Sequence, residues 1–418
     1  MRNIELLSPA GDFKRLRLAA KFGADAVYCA GSMFGMRTNP SNLNGNELKE
    51  AVELVHSQNK KIYITCNTLP RNDEIPFLPD FLKYAQDIGV DAFIIADMGV
   101  LAAAKKYAPN VDVHISTQAG IVNYASANAF YDMGATRIVT ARELSLDEIK
   151  TIRDKCNPKL EIEAFVHGAM CMSFSGRCTL SNYLTGRDAN RGDCAQPCRW
   201  KYYLMEEKRP GEYFPINEEK EGAYIFNSRD LCMIEHIPEL VDAGIDSFKI
   251  EGRAKSEYYT AMVTYAYRAA IDEYLKNPSA DFVLPDWIKG EVDKISHRKY
   301  TTGFYFGPIQ NGQVTDNGGY ERDYNGHGHV MADKLASCAV YKSCENGKLT
   351  VEQRNRFFDG EELEVVEPFK KPYKITVQNL FNEKDEEFVS AANKATDVYS
   401  FSVDREISSD AVFRRKRD

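Results

Sequence analysis

One recurring pattern along roughly the first 250 residues constrains the fold most: a helical pattern ends at a glycine, and a short apolar segment follows at once. The copies contain Gly23, Gly89, Gly134 and Gly244. Glycine adopts the left-handed conformation at a helix end at little cost. A short apolar run without polar alternation is typical of a strand that is buried on both faces. The repeat therefore predicts a parallel sheet that is covered by helices.

Adding the apolar segments that lack this glycine brings the number of predicted strands to eight. We predict strands near residues 4–8, 25–30, 61–66, 91–96, 111–116, 136–141, 160–166 and 245–251. Helical patterns separate them, for example at 45–58, 76–88 and 145–155. This alternation predicts an α/β fold, a (β/α)₈ barrel of the TIM type. A doubly wound open sheet is the alternative, but no glycine-rich dinucleotide fingerprint follows the first strand.

The domain organisation follows from where this rhythm breaks. The barrel is predicted to span residues 1–275, with a Cys-rich insertion at about 171–227 after the seventh strand. A helix is predicted to begin near Asp230, and another to span 256–275. A connecting segment with Pro and Gly covers 276–328. From 329 to 418 short strands predict a small all-β domain, a barrel or a sandwich. These strands are predicted at 338–343, 348–353, 361–366, 373–378 and 397–402.

Composition and charge indicate the cellular compartment that we expect and limit the kinds of partner. No stretch of the 418 residues approaches the roughly 20 apolar residues of a membrane span, and the N-terminus lacks a signal-peptide core, so we expect a cytoplasmic protein without membrane contact. In that compartment the ten cysteines are expected to be ligands, catalytic groups or buried thiols, not disulfides. The net charge of −8 argues against a generally basic nucleic-acid-binding surface, although local basic patches remain compatible with it.

Polar side chains follow every predicted barrel strand, at the end where such barrels carry their active sites. We take His167, Gln118 and Asp97 as candidate catalytic residues. The candidates for binding a common anionic ligand are Arg37, Arg142 and Arg253. A guanidinium group can grip a carboxylate or phosphate through two hydrogen bonds. The alternative is that these arginines only cap helices or pair with local acids.

Five cysteines lie in or beside the insertion. They are Cys171, Cys178, Cys194, Cys198 and Cys232, the last at the predicted start of the helix near Asp230. The absence of a C-x-x-C pair disfavours a structural zinc ribbon, so zinc is the weaker alternative. Four thiols at one barrel mouth suit an iron–sulfur cluster of the 4Fe–4S type. Buried structural thiols are the other interpretation, and it fits Cys29, Cys156, Cys338 and Cys344.

The insertion is also locally basic. Residues 171–204 carry five cationic side chains against two acidic ones, a net charge of +3. The cationic residues that we expect to bind RNA phosphates are Arg187, Arg191 and Lys201. Aromatic residues interleave with them: Tyr183, Trp200, Tyr202 and Tyr203. Cationic groups beside aromatic faces suit a single-stranded nucleic acid, while a solvated loop is the alternative. The run 414–417 predicts a weaker second basic patch.

Essentially the whole chain resembles a known family, and three motifs carry the likeness most clearly. They run from Glu163 to Ser181, from Gly186 to Trp200 and from Asn227 to Cys232. The first resembles the signature of the collagenase-like peptidase family, and the other two resemble its branch of tRNA hydroxylation proteins. The Cys-rich motif is long enough for the likeness to be specific.

The resemblance implies a barrel with an iron–sulfur cluster that acts in oxygen-independent hydroxylation of carbon 5 of the wobble uridine in tRNA. It also implies prephenate, a small dicarboxylate metabolite, as co-substrate, and a second family member as a possible partner subunit. By the family pattern the cluster ligands are Cys171, Cys178, Cys194 and Cys232, with Cys198 as the alternative. Relatives modify ribosomal RNA or the ubiquinone ring. The rival reading is a peptidase that uses a Cys or metal site, with His167 near Cys171.

Overall fold

The computed structural model describes residues 4–35, 42–171, 173–174, 177–200, 204–205, 213–214, 229–298, 300–307 and 335–416. Eight parallel strands close into a barrel, because the last of them pairs with both the first and the seventh. The strands are β1 (Glu5–Pro9), β2 (Ala26–Cys29), β3 (Lys61–Cys66), β4 (Ala92–Ile95), β5 (Asp112–Ile115), β6 (Arg137–Val139), β7 (Glu161–Ala169) and β11 (Ser247–Ile250). The predicted (β/α)₈ barrel is confirmed.

Helices cover the outside of the barrel. They are α1 (Phe13–Lys21), α2 (Gly45–His56), α3 (Leu78–Asp87), α4 (Met98–Tyr107), α5 (Tyr124–Asp132), α6 (Leu146–Lys155), α8 (Ile237–Asp242), α9 (Glu257–Lys276) and α10 (Asp286–Val292), while the short helix α7 (Leu180–Thr185) lies in the insertion. Asn44 and Ser145 begin α2 and α6 with full capping boxes, so local sequence fixes where these helices start. Within the described residues, no helix combines the length and apolar character that crossing a bilayer requires.

The segment around Cys232 differs from the prediction. Residues 230–232 form a strand, β10 (Asp230–Cys232), that pairs antiparallel with the end of β7, and the next helix begins only at Ile237. The Asp230 carboxylate is buried against Arg298, with its Oδ1 atom 2.6 Å from Nη2 of that arginine, and so does not cap a helix. The short strand β12 (Tyr300–Thr301) extends this edge, and β8 (Leu204–Met205) pairs with β9 (Tyr213–Phe214) within the insertion.

The barrel interior contains a small apolar cluster and a group of buried charges that contacts it. Strands β1 to β4 contribute a separate apolar cluster that includes Leu7, Tyr63 and Ile94. Arg137 reaches across the barrel to Glu5, with Nη1 and Oε1 2.5 Å apart. The same guanidinium group contacts Glu163, which is fully buried. Barrels of this type are usually filled by branched apolar side chains, so a charged interior is an unusual feature of this chain.

The C-terminal part is all-β, as predicted. Its main sheet contains β13 (Leu335–Glu345), β14 (Lys348–Gln353), β16 (Glu362–Val366), β17 (Tyr373–Thr376), β18 (Gln378–Asn382), β19 (Glu387–Phe388), β21 (Val398–Ser402) and β22 (Val412–Lys416). The strands β15 (Phe357–Phe358) and β20 (Ala391–Ala392) form a separate pair. The predicted strand at 373–378 is divided at Val377 into β17 and the start of β18, and β22 was not predicted.

Two residues of the basic run at the C-terminus, Arg414 and Arg415, do not belong to an exposed patch as the sequence predicts, whereas Lys416 is exposed. Arg414 is completely buried and contacts Glu291 of α10, with Nη1 and Oε2 2.7 Å apart, and Glu364 of β16. Arg415 pairs with Glu361 at 2.6 Å. These two guanidinium groups therefore face acids inside the protein, and Arg414 joins the all-β part to the barrel. Arg417 lies outside the described residues.

Gly168 allows β7 and β11 to approach closely beside the barrel mouth. Its φ of +107° is in the left-handed region, and a Cβ atom there would lie 2.4 Å from the backbone oxygen of Glu251. We expect Gly168→Ala to lower the free energy of unfolding by about 1–3 kcal/mol more than a matched glycine variant does. Gly186→Ala is the match, because its φ is +73° and nothing lies within 4 Å of the added atom. Urea unfolding of both variants measures the difference, and equal effects would contradict the predicted clash.

Candidate functional site at the barrel mouth

A cavity of about 470 Å³ opens at the C-terminal ends of the barrel strands, with the insertion as its second wall. Strand ends contribute polar side chains, among them Thr65, Gln118 and Glu251. The insertion contributes thiols and apolar groups such as Leu180 and Pro197. Two hydrogen bonds tie the insertion to the barrel loops: Arg177 Nε donates to the backbone oxygen of Gln118 at 2.8 Å, and Arg191 Nη2 donates to Glu74 at 2.8 Å.

Four of the five predicted site cysteines line this cavity. They are Cys171, Cys178, Cys194 and Cys198, and all four are partly buried. Asn190 holds the backbone of Cys178 through two hydrogen bonds, of 3.2 and 3.0 Å. The turn Pro197–Arg199 carries Cys198. In the part of the chain that the structure describes, no three His, Cys, Asp or Glu side chains converge closely enough to hold a single metal ion.

Cys232 lies beside the cavity and not among the residues that line it. It sits on β10, directly opposite His167 in the ladder with β7. Its Sγ atom is 4.0 Å from the hydroxyl of Tyr267. Burial raises the pKa of the Cys232 thiol to about 12. The thiol thus belongs to a firmly hydrogen-bonded strand next to the point where Cys171 leaves β7.

The structure brings two of the three predicted anion-binding arginines to the same cavity. The Arg142 guanidinium group lies over the ring of Phe165, 3.8 Å from its centroid, and Nη1 donates to the backbone oxygen of Ala169 at 2.9 Å. Arg253 is buried and donates to Thr65 and Asn42 at 3.2 and 2.9 Å. Both side chains are therefore held in place. Arg37 lies outside the described residues.

The predicted catalytic residues Gln118 and Asp97 have different surroundings. Gln118 lines the cavity, and its buried Oε1 atom has no hydrogen-bond partner within the described residues. A buried acceptor without a partner is costly unless a ligand or water satisfies it. Asp97 is not among the lining residues, and its Oδ1 atom accepts from the backbone N–H of Val100 at 3.0 Å, which caps α4.

His167 lies behind the cavity wall in an aromatic enclosure. The rings of Tyr259, Tyr267 and Tyr300 surround it at centroid distances of 6.0, 5.5 and 5.4 Å. Burial lowers the pKa of His167 to about 3, so the imidazole is neutral near neutral pH. Neither ring nitrogen has a hydrogen-bond partner within the described residues, so His167 makes no hydrogen bond to Cys171 there.

The predicted RNA-binding cations of the insertion are partly engaged with acids. Arg187 pairs with Asp193 at 2.7 Å and Arg191 pairs with Glu74 at 2.8 Å, although both side chains remain about 40% exposed. Lys201, Tyr202 and Tyr203 lie outside the described residues. Exposed aromatic groups do stand on the insertion: Phe174, Tyr183 and Trp200 are 53%, 86% and 43% exposed.

Lys249 also lines the cavity, and it is a cationic residue that was not predicted from the sequence. It lies on β11 between Phe248 and Ile250, and its Nζ atom is 2.5 Å from Oε1 of Glu163. The signal was present, because a lysine inside a strand that is buried on both faces requires a partner or a function. The structural interpretation of Cys29 agrees with its burial, which raises the pKa of its thiol to about 12.

The sequence matches two family profiles along its length. The profile of peptidase family U32 matches residues 11–315, and that of the peptidase family U32 C-terminal domain matches residues 335–414. A tRNA hydroxylation protein P1 of Bacillus subtilis is 35% identical, over 98% of this chain and 94% of that protein. A tRNA hydroxylation protein P of Escherichia coli is 34% identical, over 91% and 90%. A collagenase of Porphyromonas gingivalis is 33% identical, over 73% and 74%. These matches confirm the resemblance seen in the Cys-rich motifs, and the chain belongs to peptidase family U32.

Proposed function

We propose that this protein is a cytoplasmic RNA hydroxylase that depends on an iron–sulfur cluster and modifies carbon 5 of the wobble uridine in tRNA, with prephenate as a required metabolite. The observation that carries the proposal is the mouth cavity, where four thiols and two arginines surround one volume. Two relatives that match more than nine tenths of this chain carry the name tRNA hydroxylation protein.

The donor set fits a cluster better than a single ion. Cube-type clusters are held by four cysteine thiolates, and each thiolate binds a different iron, so the ligands surround a volume. Thiols of the described residues line a cavity without converging on one point, which makes zinc the weaker alternative. We propose Cys171, Cys178 and Cys194 as ligands with Cys232 as the fourth, because β10 supports it firmly and the family motif contains it. Cys198 is the alternative.

Within this proposal, the protein's own residues bind and orient the reactants. A bound cluster supplies a redox-active iron centre at the barrel mouth. Arg142 and Arg253 would hold the carboxylates of the metabolite, since both guanidinium groups line the cavity and are fixed by neighbours. Gln118 offers its unsatisfied Oε1 atom to a donor on the ligand. Exposed Phe174 and Tyr183 offer stacking faces for unpaired bases.

The peptidase interpretation has less support from this geometry. A cysteine peptidase needs a base that is hydrogen-bonded to its nucleophile and oriented by a third group. His167 has a pKa of about 3 and no hydrogen-bond partner within the described residues. It is therefore a weak base that is not directed at Cys171.

Nucleoside analysis of tRNA tests the proposed function. In a bacterial strain without its own tRNA hydroxylation protein, expression of this chain should restore the hydroxyuridine-derived wobble nucleosides measured by mass spectrometry. Arg253→Met should fail to restore them, because it removes a fixed cation from the cavity. Arg405→Met is the matched control, since this arginine is exposed in the all-β part. Unchanged tRNA together with cleavage of gelatin by the purified protein would favour the peptidase instead.

A further inference from the structure

Lys249 is the one cavity-lining lysine among the described residues, and the proposed function leaves it unused. It is only 4% exposed, yet it shares the cavity with Arg142 and Arg253. Its Nζ atom lies 4.6 Å from the centre of the Tyr28 ring and 5.4 Å from that of Phe165. The amine thus stands between two aromatic rings, on a residue that borders the cavity.

A carboxylate is in place to exchange a proton with this amine. Glu163 is fully buried, and its Oε1 atom is 2.5 Å from Nζ of Lys249. A structural role as the counter-ion of Glu163 is the simpler interpretation. However, Arg137 already contacts the other oxygen of that carboxylate at 3.1 Å, so Glu163 keeps a cationic partner when Lys249 loses its charge.

The neutral form of the Lys249 amine is also more favoured in this buried site than it would be in water. Burial lowers the pKa of Lys249, and the attraction of Glu163 opposes this shift without cancelling it. Lysines that form imines with carbonyl substrates are activated by such desolvation, next to a group that accepts the proton. The position of Lys249 beside Glu163 and its buried surroundings therefore both favour a lysine that can react as a neutral amine.

We propose that Lys249 forms an imine with the ketone of a 2-oxo carboxylate ligand whose carboxylates are held by Arg142 and Arg253. This inference rests on the proposed function, because prephenate carries both a carboxylate and an adjacent ketone. It goes further by assigning a covalent attachment point on the protein. The imine would fix the ligand in one orientation at the barrel mouth.

The step balances without an oxidant or a reductant. The Lys249 ammonium group passes one proton to Glu163, and the amine nitrogen attacks the ketone carbon. A C=N double bond replaces the C=O double bond in two stages, addition of the amine and then loss of water. The former ketone oxygen receives one proton from Glu163 and a second from the nitrogen, and it leaves as water. Ammonium and ketone thus become a protonated imine and one water molecule.

Reductive trapping tests the proposal on the anaerobically purified full chain. Phenylpyruvate and sodium cyanoborohydride should convert the imine into a stable secondary amine that peptide mass spectrometry locates on Lys249. Lys60 is the matched internal control, because burial also lowers its pKa while its Nζ atom donates to the backbone oxygens of Ala20 and Ala24, away from the cavity. We expect at least about tenfold more label on Lys249 than on Lys60, because only Lys249 borders the cavity where Arg142 and Arg253 would hold the ligand beside the amine.

Two variants separate chemistry from structure. Lys249→Arg keeps the cation beside Glu163 and should abolish the label at this peptide, while an unchanged melting temperature shows that the fold is intact. Glu163→Gln should slow labelling, since the amide cannot accept the proton. Wild-type protein with no label on Lys249, or with label spread equally over exposed lysines, would overturn the imine. The reaction needs neither RNA nor cluster, so its failure beside normal tRNA hydroxylation would leave the proposed function standing.

Discussion

Serine at any of the four proposed ligand cysteines should leave anaerobically purified protein colourless and nearly free of iron, whereas the wild type should be brown with about four irons per chain. The variants are Cys171→Ser, Cys178→Ser, Cys194→Ser and Cys232→Ser. A hydroxyl group is a poor ligand for these irons, and a cluster that loses one of four thiolates becomes exposed to oxygen and solvent. Iron and sulfide assays with visible absorption measure the loss. The same variants should lose tRNA hydroxylation.

Cys198→Ser is the matched control for this series. Cys198 lines the same cavity as Cys171, Cys178 and Cys194, so its replacement by serine perturbs the same surroundings. We expect it to retain most of its iron, because its short turn, Pro197–Arg199, offers less support than the strand that carries Cys232. Normal iron in Cys232→Ser together with loss in Cys198→Ser would identify Cys198 as the fourth ligand. Stoichiometric zinc without iron in the wild type would exclude the cluster.

The barrel could be predicted from sequence because its signals are local. A helix, its terminal glycine and the apolar strand after it are adjacent in the chain, and Gly23, Gly89 and Gly134 all have the positive φ that the pattern predicts. The conformation of residues 230–232 could not be obtained this way. It depends on pairing with Ala169, Gly168 and His167, which are distant in sequence.

Part of the candidate site could be predicted once the barrel was predicted. Strand ends of a parallel barrel meet at one face, so Gln118, Arg142 and Arg253 could be brought together from sequence alone, and the structure places all three at the cavity. Side-chain partners carry no such local signal. The burial of Arg414 against Glu291 and the pairing of Arg191 with Glu74 depend on tertiary packing.

Removal of Arg137, a buried cation of the barrel interior, should destabilise the protein strongly. Arg137 is 3% exposed and contacts Glu5 and Glu163, so Arg137→Met would leave two carboxylates without this cation. Removing one partner of a buried ion pair costs about 3–5 kcal/mol, and we expect a loss of this size in the free energy of unfolding near pH 7. Arg405→Met is the control: its pair with Asp404 is exposed, and we expect near-wild-type stability.

The pH dependence distinguishes an electrostatic loss from a packing defect. Burial raises the pKa of Glu5, but Arg137 outweighs this and holds it below the ordinary value, so Glu5 contributes stability above its unfolded pKa that is lost as pH falls through its folded pKa. In Arg137→Met burial acts without that opposition, and the pKa of Glu5 should rise above its unfolded value. The variant is then penalised most at neutral pH and recovers as the carboxyl group takes up a proton. Urea unfolding at about pH 7 and about pH 5 should therefore show a gap between variant and wild type that narrows on acidification. A gap that is independent of pH would indicate that lost packing, not lost charge, causes the instability.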